Sequence, residues 1–154
     1  MKISKNFSYR ELIRSQTADR LGLENKPNEE QLINLVHLTV NVLQPVRDTH
    51  GIVTVSSGFR DPVVSEKVGS SSKSQHCQGQ AADFECLSGP SNYDLAQWIR
   101  DNLEFDQLIL EMYRTGDPHS GWVHCSYNLL SNRKKCLTAS IVDGETKYNE
   151  GLNA

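Results

Sequence analysis

The sequence predicts an α+β domain in which helices come first and a mainly antiparallel sheet follows, with the N-terminal helices packed on one face of the sheet. Two observations indicate this order. Apolar residues recur at helical spacing between residues 28 and 47, whereas short β-rich runs bounded by turn-forming residues dominate after residue 51. With 154 residues, no internal repeat and no long linker, we expect one domain over residues 1–154, with its core at about 6–142.

Two helices are expected near the N-terminus. Residues 8–11, Ser-Tyr-Arg-Glu, match a capping box, so a short helix should run to about Ser15. Asn28 is the expected cap of a longer helix. The apolar stripe of this helix is predicted to comprise Leu32, Leu35, Val36, Val40, Leu43 and Val46 or Arg47. Pro45 should kink or end the helix near Gln44.

The remaining elements are mostly strands. The predicted strands are Ile52–Val55, Ala81–Cys86, Phe105–Met112, Gly121–Tyr127 and Leu137–Val142. A loop or short helix is expected from Asp61 to Val68, and Ser91 should cap a helix that runs to about Leu103. The tail from Asp143 is interpreted as a frayed end.

The composition excludes several classes of function. Hydrophobic residues make up 37% and charged residues 23%, which is typical of a globular protein. The net charge is −3 and no Lys/Arg stripe with interleaved aromatic residues occurs, so nucleic acid is not an expected partner. No apolar run approaches the ~20 residues of a membrane helix, so we expect no membrane insertion. Residues 1–6 do not resemble a secretory signal, which predicts cytoplasmic synthesis, and we expect a monomer.

The four cysteines, at positions 77, 86, 125 and 136, are not spaced as structural zinc ligands, because no CxxC pair occurs. We expect reduced, partly buried thiols. Cys125 follows His124 on a predicted strand, where neighbouring side chains point to opposite faces. Cys125 should therefore point away from any metal that His124 binds.

The side chains most suited to binding a metal are concentrated in residues 74–84, Ser-Gln-His-Cys-Gln-Gly-Gln-Ala-Ala-Asp-Phe. His76 ends a polar loop, Gly79 allows a tight turn, and Asp83 lies in an otherwise apolar strand. A buried aspartate is costly unless it is paired or binds a metal. This arrangement should bring His76 and Asp83 together at one edge of the sheet.

A second histidine, His124, lies on the predicted strand Gly121–Tyr127. Together with His76 and Asp83 it would supply two imidazoles and one carboxylate. Such a set leaves the fourth tetrahedral position of zinc open for water, which is typical of a catalytic zinc site. We therefore predict a mononuclear centre with one Zn²⁺ per chain.

These residues resemble a known family. His-x-x-Gly-x-Ala-x-Asp at 76–83, Trp-Val-His at 122–124 and Ser-Gly-Phe-Arg at 57–60 are similar to elements of the zinc DD-peptidases. That group includes D-alanyl-D-alanine carboxypeptidases and dipeptidases and phage endolysin peptidases, and the hedgehog signalling domain shares its fold. The resemblance runs from about Asn6 to Tyr127, and it implies a hedgehog/DD-peptidase-like fold and zinc ligands at His76, Asp83 and His124.

The resemblance also implies two substrate contacts. Arg60 would face the substrate, where it would polarise the scissile carbonyl or hold a carboxylate; the other interpretation is a surface salt bridge near Asp61. Ser74 matches a serine that often contacts the substrate in the family; the other interpretation is an ordinary loop hydroxyl.

One position departs from the family pattern. Many members carry an acidic general base three positions before the last histidine, but here that position is Gly121. Glu111 closes the preceding strand, and an antiparallel return through His124 would place both on one face, so Glu111 is the predicted base. Glu85, which shares strand parity with Asp83, is the other candidate for the base, or a partner of the ligands. Asp117 or His119, on the intervening loop, could stabilise the oxyanion.

The resemblance implies a zinc peptidase that cleaves peptides of bacterial peptidoglycan, as a carboxypeptidase or endopeptidase, at a D-amino acid. The alternative is a zinc-containing module of the same fold that binds the cell wall or a protein without cleavage. A carboxylate close to the metal separates these hypotheses, and the presence of Glu111 favours the enzyme. The absence of an apparent export signal predicts an enzyme released to the wall by a separate pore, as in phage lysis; a cytoplasmic recycling peptidase is the other possibility.

Overall fold

Six α-helices and eight β-strands form the described part of the chain, residues 1–153 of a computed structural model. The helices are α1 Tyr9–Ile13, α2 Gln16–Leu21, α3 Glu29–Leu38, α4 Gln44–His50, α5 Pro62–Lys67 and α6 Asn92–Asn102. The strands are β1 Lys2–Ser4, β2 Phe7–Ser8, β3 Thr54–Ser57, β4 Ala81–Glu85, β5 Gln107–Glu111, β6 Trp122–Ser126, β7 Lys135–Val142 and β8 Glu145–Glu150. A π-helical turn, Thr39–Leu43, joins α3 to α4, and a 3₁₀ helix, Gln75–Gln78, precedes β4.

The main sheet has six strands in the order β3-β4-β6-β5-β7-β8. Every neighbouring pair is antiparallel except β5 and β7, which are parallel. One face of the sheet packs against α3, α4 and α6 in a hydrophobic core. Core residues from the sheet include Phe84, Leu108, Leu110, Val123 and Cys125, which meet Leu35, Val42, Val46, Leu95 and Ile99 from the helices. The predicted α+β class, with helices on one face of a mainly antiparallel sheet, is confirmed.

The helix starts follow the predicted caps. Ser8 and Glu11 form a reciprocal capping box at α1, and Asn28 forms another with Gln31 at α3. The predicted end near Gln44 is wrong, because the chain continues through the π-helical turn into α4 and reaches His50. Pro45 is the second residue of α4, directly after the π-helical turn.

The buried side of this long helix also differs from the predicted apolar stripe. Val40 is exposed, whereas Val42 is fully buried. The buried positions Leu35, Leu38, Val42 and Val46 are three, four and four residues apart, which keeps them on one side of the helix. Val40 lies outside that series, so its predicted place in the core is wrong.

The C-terminal tail is not a frayed end, as the sequence had indicated, but the strand β8. Asp143 and Gly144 both have positive φ, 52° and 78°, and connect β7 to β8 as a two-residue turn. Asp-Gly favours this turn because its backbone twist matches that of antiparallel strands. The hairpin adds two strands to the sheet beside β5. None of the helices in residues 1–153 has the length and apolar character needed to cross a bilayer.

Candidate metal centre

His76 is presented by the short 3₁₀ helix. Ser74 caps this helix, and its hydroxyl accepts a hydrogen bond of 3.2 Å from the backbone N–H of His76. Gly79 ends it with a φ of 74°, and a Cβ there would collide with the carbonyl oxygen of Gln31. The turn that the sequence predicted at Gly79 therefore requires glycine both for its φ and for the close approach of α3.

Two side chains of α3 and one side chain of the helix itself anchor this helix. Gln31 and Asn34 of α3 donate to the carbonyl oxygens of Cys77 and Gln78, at 3.0 and 2.9 Å. From the other side, Gln75 donates to the Asp106 carboxylate at 2.8 Å. These bonds fix the backbone on both sides of His76, so the ring is positioned before any metal binds.

Asp106 is buried, only 3% exposed, and joins this helix to the loop before β7. Arg133 makes a bidentate pair with it, with both N–O distances at 2.9 Å. These hydrogen bonds hold the pKa of Asp106 down at about 2, against the opposing effect of burial. This support could not be predicted from the sequence, because Gln75, Asp106 and Arg133 are distant along the chain and form no recognisable motif.

Asp83 and His124 lie on adjacent strands. The antiparallel register of β4 and β6 pairs them directly, so their side chains share one face of the sheet, opposite the hydrophobic core. The His124 Nδ1 is 2.9 Å from the Asp83 Oδ1, and the His76 Nε2 is 3.3 Å from the same oxygen. The structure thus brings together the three residues that the sequence singled out.

The tautomer of His76 follows from its hydrogen bond to the Gly58 backbone. Its Nδ1 is 2.8 Å from the carbonyl oxygen of Gly58, which can only accept, so Nδ1 carries a proton. In the neutral ring, Nε2 then carries a lone pair, and this lone pair faces the Asp83 carboxylate. A cation between these two facing acceptors would satisfy both. This hydrogen bond also fixes the orientation of the ring, as backbone carbonyls commonly do for histidines that bind a metal through the other ring nitrogen.

The electrostatics of Asp83 favour the charged form. Burial opposes its ionisation, but hydrogen bonds with His124 and His76 outweigh that effect, and the pKa of Asp83 lies well below its usual range. The carboxylate is therefore ionised at neutral pH, as a metal ligand must be.

The donor set fits zinc. One ligand atom from each of His76, Asp83 and His124 can be chosen so that all three lie within 4.8 Å of one another. Two ligands at about 2.1 Å from a tetrahedral zinc would be roughly 3.4 Å apart, close to the distances between the Asp83 oxygen and the two rings. The side chains of Asp83 and His124 retain 14% and 10% exposure, so the group is open to solvent on one side.

The cysteines take no part in this group. Cys125 is fully buried in the hydrophobic core, on the face opposite His124, as its strand parity predicted. Cys77 is also fully buried, and its Sγ lies 3.8 Å from the carbonyl oxygen of Ser71. All four thiols are free.

Glu111 lies on the same face as the three residues. His124 pairs with Ile109 across β5 and β6, and Glu111, two residues further along β5, pairs with Trp122. Burial raises the pKa of Glu111, while the charges of His124 and Asp83 act on it in opposite directions. Its carboxylate has no hydrogen-bond partner within residues 1–153 and is thus free for proton transfer.

The backbone of the loop explains why position 121 is a glycine. Its φ is 67°, and a Cβ there would collide with the backbone carbonyl of Glu111. The loop between β5 and β6 therefore closes directly against Glu111 and excludes any side chain at 121. An acidic residue at the position common in the family is incompatible with this loop, whereas Glu111 is retained on the strand that the loop follows.

The other acidic and histidine candidates are engaged or exposed. One oxygen of Glu85 accepts a hydrogen bond of 2.9 Å from Asn92. Asp117 forms an ion pair of 2.8 Å with Arg114. His119 is exposed, and its backbone carbonyl accepts from Asn92 at 3.2 Å. In the described residues no hydrogen bond links the side chains of these three residues to His76, Asp83 or His124.

Arg60 borders a separate cavity of about 400 Å³. Arg14 and Arg60 are its charged lining residues, and Ser57, also in the lining, pairs with Asp83 in the register of β3 and β4. The Nε of Arg60 is buried without a hydrogen-bond partner in residues 1–153. Asp61, the partner in the salt-bridge interpretation, instead accepts a hydrogen bond of 2.9 Å from the backbone of Val63 and caps α5.

Comparison with known proteins agrees with this geometry. The family model described as Peptidase M15 matches residues 5–126, which is most of the chain and includes all three residues of the group. No curated protein matches the sequence.

Proposed function

The chain belongs to the peptidase M15 family, and from this membership we propose that it is a zinc peptidase that hydrolyses peptide bonds in bacterial peptidoglycan, as a carboxypeptidase or an endopeptidase acting at a D-amino acid. The observation that carries the proposal is the convergence of two imidazoles and one ionised carboxylate on a sheet face that also presents Glu111. A structural zinc site would have four protein ligands, whereas this group leaves one position for water or substrate.

His76, Asp83 and His124 would hold the metal. When bound there, Zn²⁺ supplies a Lewis acid that polarises a carbonyl and lowers the pKa of water. The Gly58 carbonyl and the clamps on the 3₁₀ helix keep His76 in place, so little reorganisation is needed when the metal binds.

Glu111 acts as the general base. Its carboxylate takes a proton from the attacking water, whose oxygen forms a bond to the carbonyl carbon of the substrate. When the carbon–nitrogen bond breaks, Glu111 returns that proton to the departing amine. A raised pKa suits a group that must both accept and release a proton near neutral pH.

Arg60 binds the substrate, where its guanidinium polarises the scissile carbonyl or holds a carboxylate. Support comes from the positive charge of the separate cavity, which Arg14 and Arg60 line without any acidic residue, and from Ser57 in its lining, which pairs with Asp83 across β3 and β4. Ser74 and His119 are further proposed substrate contacts. The oxygen of the Ser74 hydroxyl already accepts a hydrogen bond at the start of the 3₁₀ helix. Its contact with substrate would therefore be a hydrogen bond that the hydroxyl proton donates.

The proposed partner is a wall peptide, with no role for nucleic acid, and the chain would act as a monomer. We further propose that the enzyme reaches the wall through a separate pore, as in phage lysis.

The test is digestion of purified peptidoglycan by the zinc-loaded protein, followed by mass spectrometry of the new amino and carboxyl ends. Cleavage that chelation abolishes and zinc restores supports the peptidase. Binding of wall fragments without any cleavage would instead support the non-catalytic module.

A further inference from the structure

Glu111 has an aromatic neighbour that the family match does not cover. Beyond residue 126, the chain continues into the β7–β8 hairpin, which places two more strands beside β5. Leu110 pairs with Thr138 across β5 and β7, and one more residue along each strand places Glu111 beside Ala139. Ala139 in turn pairs with Tyr148 of β8.

Trp122, Glu111, Ala139 and Tyr148 therefore form one row across the sheet, on the face that carries Asp83 and His124. With neighbouring strands about 4.8 Å apart, the backbones of Glu111 and Tyr148 are separated by roughly 10 Å. Only the methyl group of Ala139 lies between them, so the phenol ring can lie across it towards Glu111.

The burial of Ala139 supports this placement. Ala139 is fully buried although it is not part of the hydrophobic core on the helix side. Something on the metal-centre face must cover it, and Tyr148 is its directly paired neighbour. Burial raises the pKa of Tyr148, and the charge of Glu111 adds to the rise. The phenol is therefore a neutral hydrogen-bond donor close to Glu111.

The hydroxyl of Tyr148 is available to a ligand. The residue is 56% exposed, and its hydroxyl has no hydrogen-bond partner within the described chain. An exposed free donor beside the base, on the face where the substrate must lie, is suited to a peptide carbonyl.

We propose that Tyr148 is a substrate-positioning residue whose hydroxyl donates a hydrogen bond to the peptide bound at the metal centre, on the Glu111 side. This role rests on the proposed peptidase function. It assigns to the C-terminal hairpin a part of the substrate site that residues 5–126 do not contain.

The experiment measures peptide binding apart from catalysis. The zinc-loaded Glu111→Gln protein is titrated calorimetrically with an intact wall stem peptide, and the titration is repeated after adding Tyr148→Phe. We expect the second change to weaken binding by roughly three- to tenfold, the effect of one neutral hydrogen bond. In the otherwise unmodified enzyme, Tyr148→Phe should raise KM by a similar factor and leave kcat nearly unchanged.

Asn149→Ala is the matched control, because Asn149 is the next residue on β8 and its side chain points to the opposite face. It should alter neither binding nor KM, and both variants should keep their zinc and their melting temperature. Peptide binding that Tyr148→Phe leaves unchanged overturns the role of Tyr148 while the peptidase function stands. A Glu111→Gln protein that binds no wall peptide at all would refute both.

Discussion

Replacing Glu111 with glutamine removes the proton-accepting group and keeps nearly the same shape. Because the carboxylate has no hydrogen-bond partner within residues 1–153 and is not part of the group formed by His76, Asp83 and His124, the fold and the zinc content should be unchanged. Turnover of a cleavable wall peptide should fall at least ~10²-fold, the low end for a positioned general base, which corresponds to about 2.7 kcal/mol of transition-state stabilisation.

The pH dependence gives a second measurement. A general base must be deprotonated, so kcat/KM of the unmodified enzyme should fall as the pH drops through an apparent pKa. Burial raises the pKa of Glu111, so this acidic limb should lie above the ordinary range of glutamate, and its midpoint belongs jointly to the carboxylate and the attacking water. The Glu111→Gln variant should lose this limb.

Glu85→Gln is the control for both measurements. Glu85 lies on the same face but already accepts a hydrogen bond from Asn92, so its replacement should cost less activity than that of Glu111. Undiminished turnover in Glu111→Gln would refute the assignment and move the role of base to Glu85, Asp117 or His119.

Three further outcomes are expected. The purified protein should hold close to one zinc per chain by elemental analysis, and His124→Ala should lower that content sharply, because the centre has only three protein ligands; full retention would exclude His124 as a ligand. Cys125→Ser should leave the zinc content unchanged. It should lower the free energy of unfolding by roughly 1 kcal/mol or more, because it buries a hydroxyl in the core. Release of zinc by this variant would contradict the placement of Cys125 on the face opposite His124. The pKa of Asp106 is depressed to about 2, so its contribution to stability is present above the unfolded pKa and is lost as the pH falls from about 4 to 2. Denaturant unfolding of the metal-free protein should show this loss, about 2 kcal/mol, and Asp106→Asn should show less of it; equal losses in both would contradict the Arg133 pair.

Much of the helical part could be predicted because its signals are local. The caps at Ser8, Asn28 and Ser91 each depend on a side chain and a backbone N–H within three residues, and each is present. One local rule had more than one outcome. Pro45 was expected to kink or end the helix near Gln44; the helical path does not end there but passes through the π-helical turn into α4. Asp143 and Gly144 form a two-residue turn, so the residues expected to fray return as β8.

The residue types and spacing of the sequence determined by themselves which side chains could form a metal centre, because His76, Gly79 and Asp83 lie within one short segment and His124 lies on a strand of the right parity. The tertiary structure alone decided what surrounds them. The proton on His76, the clamp through Gln75 and Asp106, the collision that keeps Gly121 free of a side chain, and the position of Tyr148 beside Glu111 all depend on the register and packing of segments far apart in the chain. A local pattern specifies the chemistry of a side chain, whereas its partners are set by strand pairings whose free energy depends on the whole fold.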